Sequence, residues 1–499
     1  MNNNKKIRVR FAPSPTGFIH IGNLRTVLFG YLFAKKNNGT FVVRIEDTDQ
    51  NREVVGSLEK VLEMLQWINL TTDEGVMLDE NNQVIEKGNY GPYIQSNRLD
   101  LYKKYAQGLI DADKAYPCFC SEERLTKMRE DQQKEGAAPK YDGCCRKLSQ
   151  AEAKEKIANG EKYVIRMKIP ENRKVKFNDL VYGNIEIESN NIDDQVLVKS
   201  DGFPTYFLAV VVDDHLMEIS HIFRGDDWIS SAPKLVLLYE FFGWDMPAFV
   251  HVPNVISNNG KKLSKRRDSV SVEQFKNDGY LPEALVNFLA LLGWNPGEGE
   301  TREIFTISEI IQRFDLAHVH KAGAVFDLKK LDWLNSQYIK KLSIDELYEK
   351  ALPFFQQKEF FKTASAEKKS PEFLKKVLTV ELDRLPKLSD VGENNQFFFA
   401  TDLNYEKSLL HWKEMSDEDL KKTLEKSKAI LENISDENWS KENLEKVLLE
   451  AAGEKRGELL WPLRATLTGA QKSPSPFEVA WVLGKMESLE RIKKAISLV

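Results

Sequence analysis

Val9-Arg-Phe-Ala-Pro-Ser-Pro-Thr-Gly-Phe-Ile-His-Ile-Gly-Asn23 passes from strand to loop to helix within a few residues. Ile7 to Phe11 reads as a buried strand. Pro13 and Pro15 restrict φ and remove amide donors, and Gly17 frees the backbone, so the strand ends in an irregular loop. His20-Ile-Gly22 then opens a helix to Lys35, with Leu24, Val27, Leu28, Tyr31 and Leu32 spaced along one face. A strand that leads through a loop into a helix N-terminus makes an anion site. Backbone N–H groups and the positive end of the helix dipole face one crevice. Gly22 lets a flat ligand approach the backbone, and His20 can donate a hydrogen bond to an anionic oxygen. Taken alone, His-Ile-Gly is a chance tripeptide, and a histidine at a helix start is ordinary.

Working outward, Phe41-Val-Val-Arg-Ile45 reads as a second strand, and Val54, Val55, Leu58, Val61, Leu62 and Leu65 as a second helix. Gln195-Val-Leu-Val198, Ala209-Val-Val-Val212 and Ile219-Ser-His-Ile-Phe223 are strand-like, and Pro233 to Phe242 is helical. Strands alternating with helices predict an α/β fold around a Rossmann-like parallel sheet. An inserted α+β subdomain over 111–194 interrupts it, with a charged helix (Ser121 to Gly136) and a strand (Tyr163 to Lys168). The chain is expected to divide into 1–110 with 195–253, the insertion, a region at 254–325 that carries a lysine-rich loop, and a helical C-terminal half at 326–499.

The composition of the 499 residues, 42% hydrophobic and 29% charged, suits a soluble globular chain with several cores. The start, Met1-Asn-Asn-Asn-Lys-Lys6, lacks the apolar run of a signal peptide. Leu285 to Leu292, among the longest apolar stretches, is too short to span a bilayer. The expectation is a cytoplasmic protein without a membrane partner. A net charge of -5 does not point to nucleic acid, but a basic stripe on an acidic body would suffice to bind one. All four cysteines fall between Cys118 and Cys145, a clustering that favours a metal site over a disulfide framework in such a chain.

Asn259-Gly-Lys-Lys-Leu-Ser-Lys-Arg-Arg267 is the second informative stretch, with five of its last seven residues Lys or Arg. Lys262 and Lys265 flank Ser264 at a spacing suited to clamping phosphates while charge moves onto a leaving pyrophosphate. By itself the stretch reads equally well as a solvated basic turn.

Together the two stretches resemble the paired signatures of class I aminoacyl-tRNA synthetases, here His20-Ile-Gly-Asn23 and Lys262-Leu-Ser-Lys-Arg266, in that order on an interrupted α/β fold. The phrase Arg10-Phe-Ala-Pro-Ser-Pro-Thr-Gly17, including Pro13, Ser14, Pro15 and Thr16, is similar to the bacterial-type glutamyl branch. So are Arg44-Ile-Glu-Asp-Thr-Asp49, Lys199-Ser-Asp-Gly-Phe-Pro-Thr-Tyr206, Val211-Val-Asp-Asp-His215 and Phe223-Arg-Gly-Asp-Asp-Trp228. Asn23 stands where the class motif has a second histidine. Val210 stands where some relatives have an asparagine, so it is given no ligand role.

The resemblance implies a glutamate–tRNA ligase that uses ATP with magnesium, forms glutamyl-adenylate and passes the glutamyl group to the 2′-hydroxyl of the terminal tRNA adenosine. It gives His20, Gly22, Lys262, Ser264 and Lys265 to ATP, and Arg10, Ser14, Glu46, Tyr206 and Arg224 to L-glutamate. It also implies a monomer. The C-terminal half resembles an anticodon-binding region, with Arg464 and Arg384 as candidate RNA contacts. For the cysteines, some glutamyl synthetases carry Cys-x-Cys, a 24-residue gap and Cys-x-His. Cys118, Cys120 and Cys145 match, Lys147 replaces the histidine, and adjacent Cys144 is a poor substitute. A zinc site and a reduced, metal-free subdomain both remain open. The nearest alternative, a glutaminyl-tRNA synthetase, resembles a β-barrel design in its C-terminal half and carries a different phrase in place of Ala-Pro-Ser-Pro-Thr-Gly.

Overall fold

The computed structural model describes residues 6–15, 17, 19–49, 52, 54–261, 263, 271–297 and 299–499. The chain forms two compact units, residues 1–275 with 285–328, and residues 276–284 with 329–499.

The first unit contains, in order, β1 (Arg8–Phe11), α1 (Ile21–Lys36), β2 (Thr40–Val43), α2 (Ser57–Trp67), β3 (Glu74–Leu78), β4 (Val84–Lys87), α3 (Leu99–Asp111), β5 (Ala115–Cys118), α4 (Glu122–Lys134), α5 (Gln150–Ala158), β6 (Val164–Met167), β7 (Lys174–Asp179), β8 (Gly183–Glu188), β9 (Val196–Val198), α6 (Tyr206–Leu216), β10 (His221–Gly225), α7 (Ala232–Phe242) and β11 (Ala248–Val252). Eight strands make the main sheet in the order β4-β3-β2-β1-β10-β11-β7-β8. Neighbours from β3 to β7 run parallel, and antiparallel strands close each edge. The order runs outward from β1 in both directions, to β2 on one side and β10 on the other. Such a switch point leaves a crevice at the carboxyl ends of the parallel strands, where ligands bind in open α/β sheets.

Several expectations change. Ala209–Val212 is helical, not a strand. Every residue from Leu208 to Asp214 in α6 is buried, so packing on all sides overrides the β-preference of a valine run. Val54 and Val55 lie outside α2 and are 50% and 100% exposed, so the apolar period starts later, at Leu58. Residues 111–194, expected as one inserted subdomain, contribute to two sheets. Strands β5 and β6 pair with β9 in a separate antiparallel sheet, while the β7–β8 hairpin returns to the edge of the main sheet. Gln195–Val198 therefore belongs to the small sheet, because Ile165 and Arg166 take its backbone as partner.

The second unit is helical. Its core includes Leu347, Phe355, Leu374, Leu378, Phe398, Leu424, Leu463 and Ile492, all 0% exposed. Ser343 with Glu346 and Ser475 with Glu478 form capping boxes that satisfy the first amides of helices Ile344–Gln357 and Pro476–Leu498. Among the described residues, no helix is long and apolar enough to cross a membrane.

Candidate active site

The carboxyl ends of β1, β10 and β11 open on a cavity of about 570 Å³. Arg10, Pro13, Ser14, Gly17, His20, Gly22, Asn23, Glu46, Tyr206 and Arg224 all line it. The two strand-end arginines reach it because β1 and β10 are adjacent and parallel.

Charged residues deep in the sheet organise one wall. Arg44 is 0% exposed and sits among three carboxylates. Its Nη1 donates to Asp214 Oδ1 at 2.7 Å and its Nη2 to Glu46 Oε1 at 3.0 Å, and its Nε lies 3.8 Å from Asp213 Oδ2. Arg10 Nε also donates to Asp214, at 3.1 Å to Oδ1. Burial works to lower the pKa of both arginines, but Asp214 together with Tyr206 and Glu46 for Arg10, and with Asp213 and Glu46 for Arg44, more than offsets it, so both are raised. Burial raises the pKa of the Glu46 carboxyl despite Arg44 and Arg10. A cation placed against Glu46 from the cavity would oppose that shift.

Arg224 differs from Arg10. It is 7% exposed, and its Nε donates to His251 Nε2 at 2.9 Å, while Nη1 and Nη2 are buried without a hydrogen-bond partner. Its Cζ lies 5.0 Å from the centre of the Phe249 ring. Burial lowers its pKa, with Tyr206 the first opposing influence. A buried guanidinium whose forked edge is unmet is costly unless a ligand supplies a carboxylate or phosphate. Tyr206 packs on Trp228 with ring centroids 4.8 Å apart, forming an aromatic part of the same lining.

Where α1 meets the cavity, His20 is the N-cap of the helix. Its Nδ1 accepts the Gly22 amide at 3.0 Å. In the neutral ring this leaves the proton on Nε2, which makes His20 a donor. A Cβ on Gly22 would come 3.2 Å from His20 Nδ1, so the glycine also leaves room for the capping imidazole. Ile21 is buried at the start of the helix. Thr16, Lys262, Ser264, Lys265 and Arg266 lie outside the described residues. Leu263 is buried, lines the cavity and donates its amide to Val255 O at 3.2 Å.

The cysteines are unbridged. Cys118, Cys120 and Cys145 have sulfurs within 4.8 Å of one another, with Cys120 and Cys145 at 3.6 Å. Cys144 is exposed and outside this group. The Tyr141 hydroxyl lies 3.3 Å from Cys118 Sγ and 3.4 Å from Cys120 Sγ. Hydrogen bonding from Cys145 pulls the Cys118 thiol down to about 4 against the effect of burial. Burial pushes the Cys120 thiol up and the hydrogen bond to Cys118 pushes Cys145 up, so Cys118 is the one biased to thiolate. The three clustered sulfurs fit three of the four deprotonated ligands that a structural zinc ion takes. In the second unit, Arg464 lies in helix Arg456–Thr468, donates to Gln471 O at 2.9 Å and stacks over Trp461 at 4.6 Å. Arg384 is exposed in a short 3-10 turn.

Reading from sequence passed over Arg44, Asp213 and Asp214 as organisers of the site, and His251 and Asp179 altogether. Asp213-Asp214 gave a usable signal. Two adjacent acids end an apolar helix run, and buried acids need buried cations. His251 gave none, because its partners come from strands distant in the chain.

Residues 6–333 match the family model described as tRNA synthetases class I (E and Q), catalytic domain, and residues 346–496 match an anticodon binding domain. A glutamate–tRNA ligase of Finegoldia magna is 46% identical over 99% of both chains. One of Clostridioides difficile is 45% identical over 97% of this chain and 98% of that one. A crystal structure of a glutamate tRNA ligase from Elizabethkingia meningosepticum, in complex with its amino acid, superposes with a TM-score of 0.86 at 35% identity and covers 99% of both chains. With full-length relatives of this name and helical anticodon-type sequence after the catalytic match, the chain belongs to the glutamate–tRNA ligase family of class I aminoacyl-tRNA synthetases.

Proposed function

We propose that the protein charges its tRNA with L-glutamate through a glutamyl-adenylate formed in the cavity at the carboxyl edge of the main sheet. The observation that carries this reading is Arg224, a buried guanidinium with two unmet donors in the cavity that α1 enters by its N-terminus. In the first step an α-carboxylate oxygen of glutamate attacks the α-phosphorus of ATP, and the bond to the bridging oxygen breaks to release pyrophosphate. In the second, the 2′-hydroxyl of the terminal adenosine attacks the acyl carbon, its proton passes to the departing phosphate, and AMP leaves. No covalent enzyme intermediate is needed, so catalysis consists of positioning and charge stabilisation. Arg224 and Arg10 would hold the substrate side chain, with Ser14 and Tyr206 adding hydrogen bonds and Glu46 receiving the ammonium. His20, Lys262, Ser264 and Lys265 would hold the triphosphate beside Gly22. Magnesium would enter with ATP and screen its phosphates without a dedicated protein cage. Residues 111–194 would meet the tRNA acceptor end, 254–325 its stem and 326–499 its anticodon, with Arg464 and Arg384 as RNA contacts. A cytoplasmic monomer belongs to the same reading.

ATP–pyrophosphate exchange with glutamate, with and without tRNA, tests it. Lys265→Ala is expected to slow exchange by at least ~10-fold, the low end for lost transition-state charge stabilisation. Unchanged exchange would remove Lys265 from the reaction.

Cys118, Cys120 and Cys145 would hold zinc as a structural tie, with the Tyr141 hydroxyl beside two of the sulfurs. Elemental analysis of tag-free protein is expected to find about one zinc per chain. Cys118→Ser should lose it. Full occupancy in that variant would refute the ligand set, and metal-free wild-type protein would refute the site.

A further inference from the structure

Arg224, His251 and Asp179 lie on three adjacent strands, β10, β11 and β7. Arg224 and His251 are register partners, so their side chains leave the same face of the sheet. Asp179 ends the hairpin strand that returns to the main sheet, opposite Phe249. The three are 7%, 0% and 1% exposed.

Their hydrogen bonds determine where each proton sits. Asp179 Oδ1 accepts the amides of Val181 at 2.9 Å and Tyr182 at 2.8 Å. Its Oδ2 accepts the His251 amide at 3.0 Å and meets His251 Nδ1 at 2.7 Å. Four contacts occupy the carboxylate and fix its rotation. Because Arg224 Nε–H donates to His251 Nε2, that nitrogen must carry a lone pair, and the imidazole proton therefore sits on Nδ1, toward Asp179.

We propose that His251 and Asp179 are positioning residues for amino-acid selection. Asp179 locks the imidazole in the Nδ1–H form, and its Nε2 then holds Arg224 so that Nη1 and Nη2 face the side-chain carboxylate of the substrate. The role rests on Arg224 being the carboxylate ligand. Fork-to-fork pairing requires the guanidinium and carboxylate to lie in one plane. A hydrogen bond at Nε and the Phe249 ring constrain that plane from two directions. A guanidinium free to swivel could reach other acceptors and would penalise a neutral amide less.

Asp179→Asn tests the relay with little change of shape. The two amides at Oδ1 keep the side-chain oxygen in place, so the new amide group faces the His251 ring and also the His251 main-chain N–H, which loses its acceptor. The ring must then accept at Nδ1 and carry its proton on Nε2, against Arg224 Nε–H. In full-length enzyme at saturating ATP and tRNA, the expected result is a KM for glutamate raised about 10- to 100-fold, the range for a lost charge-assisted hydrogen bond. Preference for glutamate over glutamine should fall with it, and KM for ATP should stay within about 2-fold, since no phosphate contact is touched. His251→Leu should behave alike, and His251→Gln, which restores an acceptor, should recover most of the loss. Adding Asp179→Asn to Arg224→Gln should cost nothing further in glutamate KM, because the partner is already gone. If Asp179→Asn melts early, the His251→Leu and His251→Gln pair decides. Folded variants that keep glutamate KM and discrimination while Arg224→Gln loses both would overturn the relay and leave the assignment of Arg224 intact. If Arg224→Gln keeps both, that assignment itself fails.

Discussion

Arg224→Gln is expected to lose most charging with glutamate and most preference for glutamate over glutamine. In the wild type, a neutral amide in place of the substrate carboxylate leaves a guanidinium that is 7% exposed, with Nη1 and Nη2 unmet. Leaving a buried charged hydrogen bond without its partner costs about 3–5 kcal/mol, or at least roughly two decades in kcat/KM. That penalty, rather than size, is expected to exclude glutamine, since the two side chains are nearly isosteric. Arg10 is expected to be a weaker determinant, because Asp214 already pairs with it in the folded chain. Arg10→Gln would also strip Asp214 of one of its two arginines, mixing selectivity with stability. Steady-state charging with each amino acid, by wild type and Arg224→Gln, gives the answer. A variant that keeps both activity and discrimination would make Arg224 an ordinary buried arginine.

Arg44→Met is expected to destabilise the first unit by about 3–5 kcal/mol, the range for removing one partner of a buried ion pair. The methionine fills much of the space but leaves Glu46, Asp213 and Asp214 facing one another with less positive charge. Asp213 keeps Arg98 at 2.7 Å and Asp214 keeps Arg10, so Glu46 loses the most and should become easier to protonate. Denaturant unfolding reads the stability, and glutamate KM at neutral pH reads the carboxylate. Combining Arg44→Met with Glu46→Gln should recover part of the stability, because it removes the carboxylate left most short of positive charge. Wild-type stability in Arg44→Met would mean that the network is solvated and contributes little.

The stretch from Val9 to Asn23 and the lysine-rich motif pointed, by resemblance, to the class of chemistry. The alternation of strand-like and helix-like segments pointed to the α/β fold, and Arg10, Ser14, Glu46, Tyr206 and Arg224, named from several motifs, line one cavity. Prolines, a glycine and an apolar period act within a few residues of chain, and such short-range constraints can be read from sequence order. Local reading failed where tertiary environment decided. Ala209–Val212 has a strand's composition but is helical, in a helix buried from Leu208 to Asp214. Val54 and Val55 continue an apolar pattern yet point to solvent. The candidate site residues Arg10, Glu46 and Arg224 were legible as single charges, but their states were not. Whether Arg10 is already paired, whether Arg224 is left open, and which nitrogen of His251 carries the proton depend on which strands become neighbours. Asp179, Arg224 and His251 are brought into hydrogen-bonding range by the sheet order alone, and burial there turns each unmet or satisfied hydrogen bond into a large energy term. Sequence order thus determined the inventory of charges, and the tertiary structure decided which of them are available to a ligand.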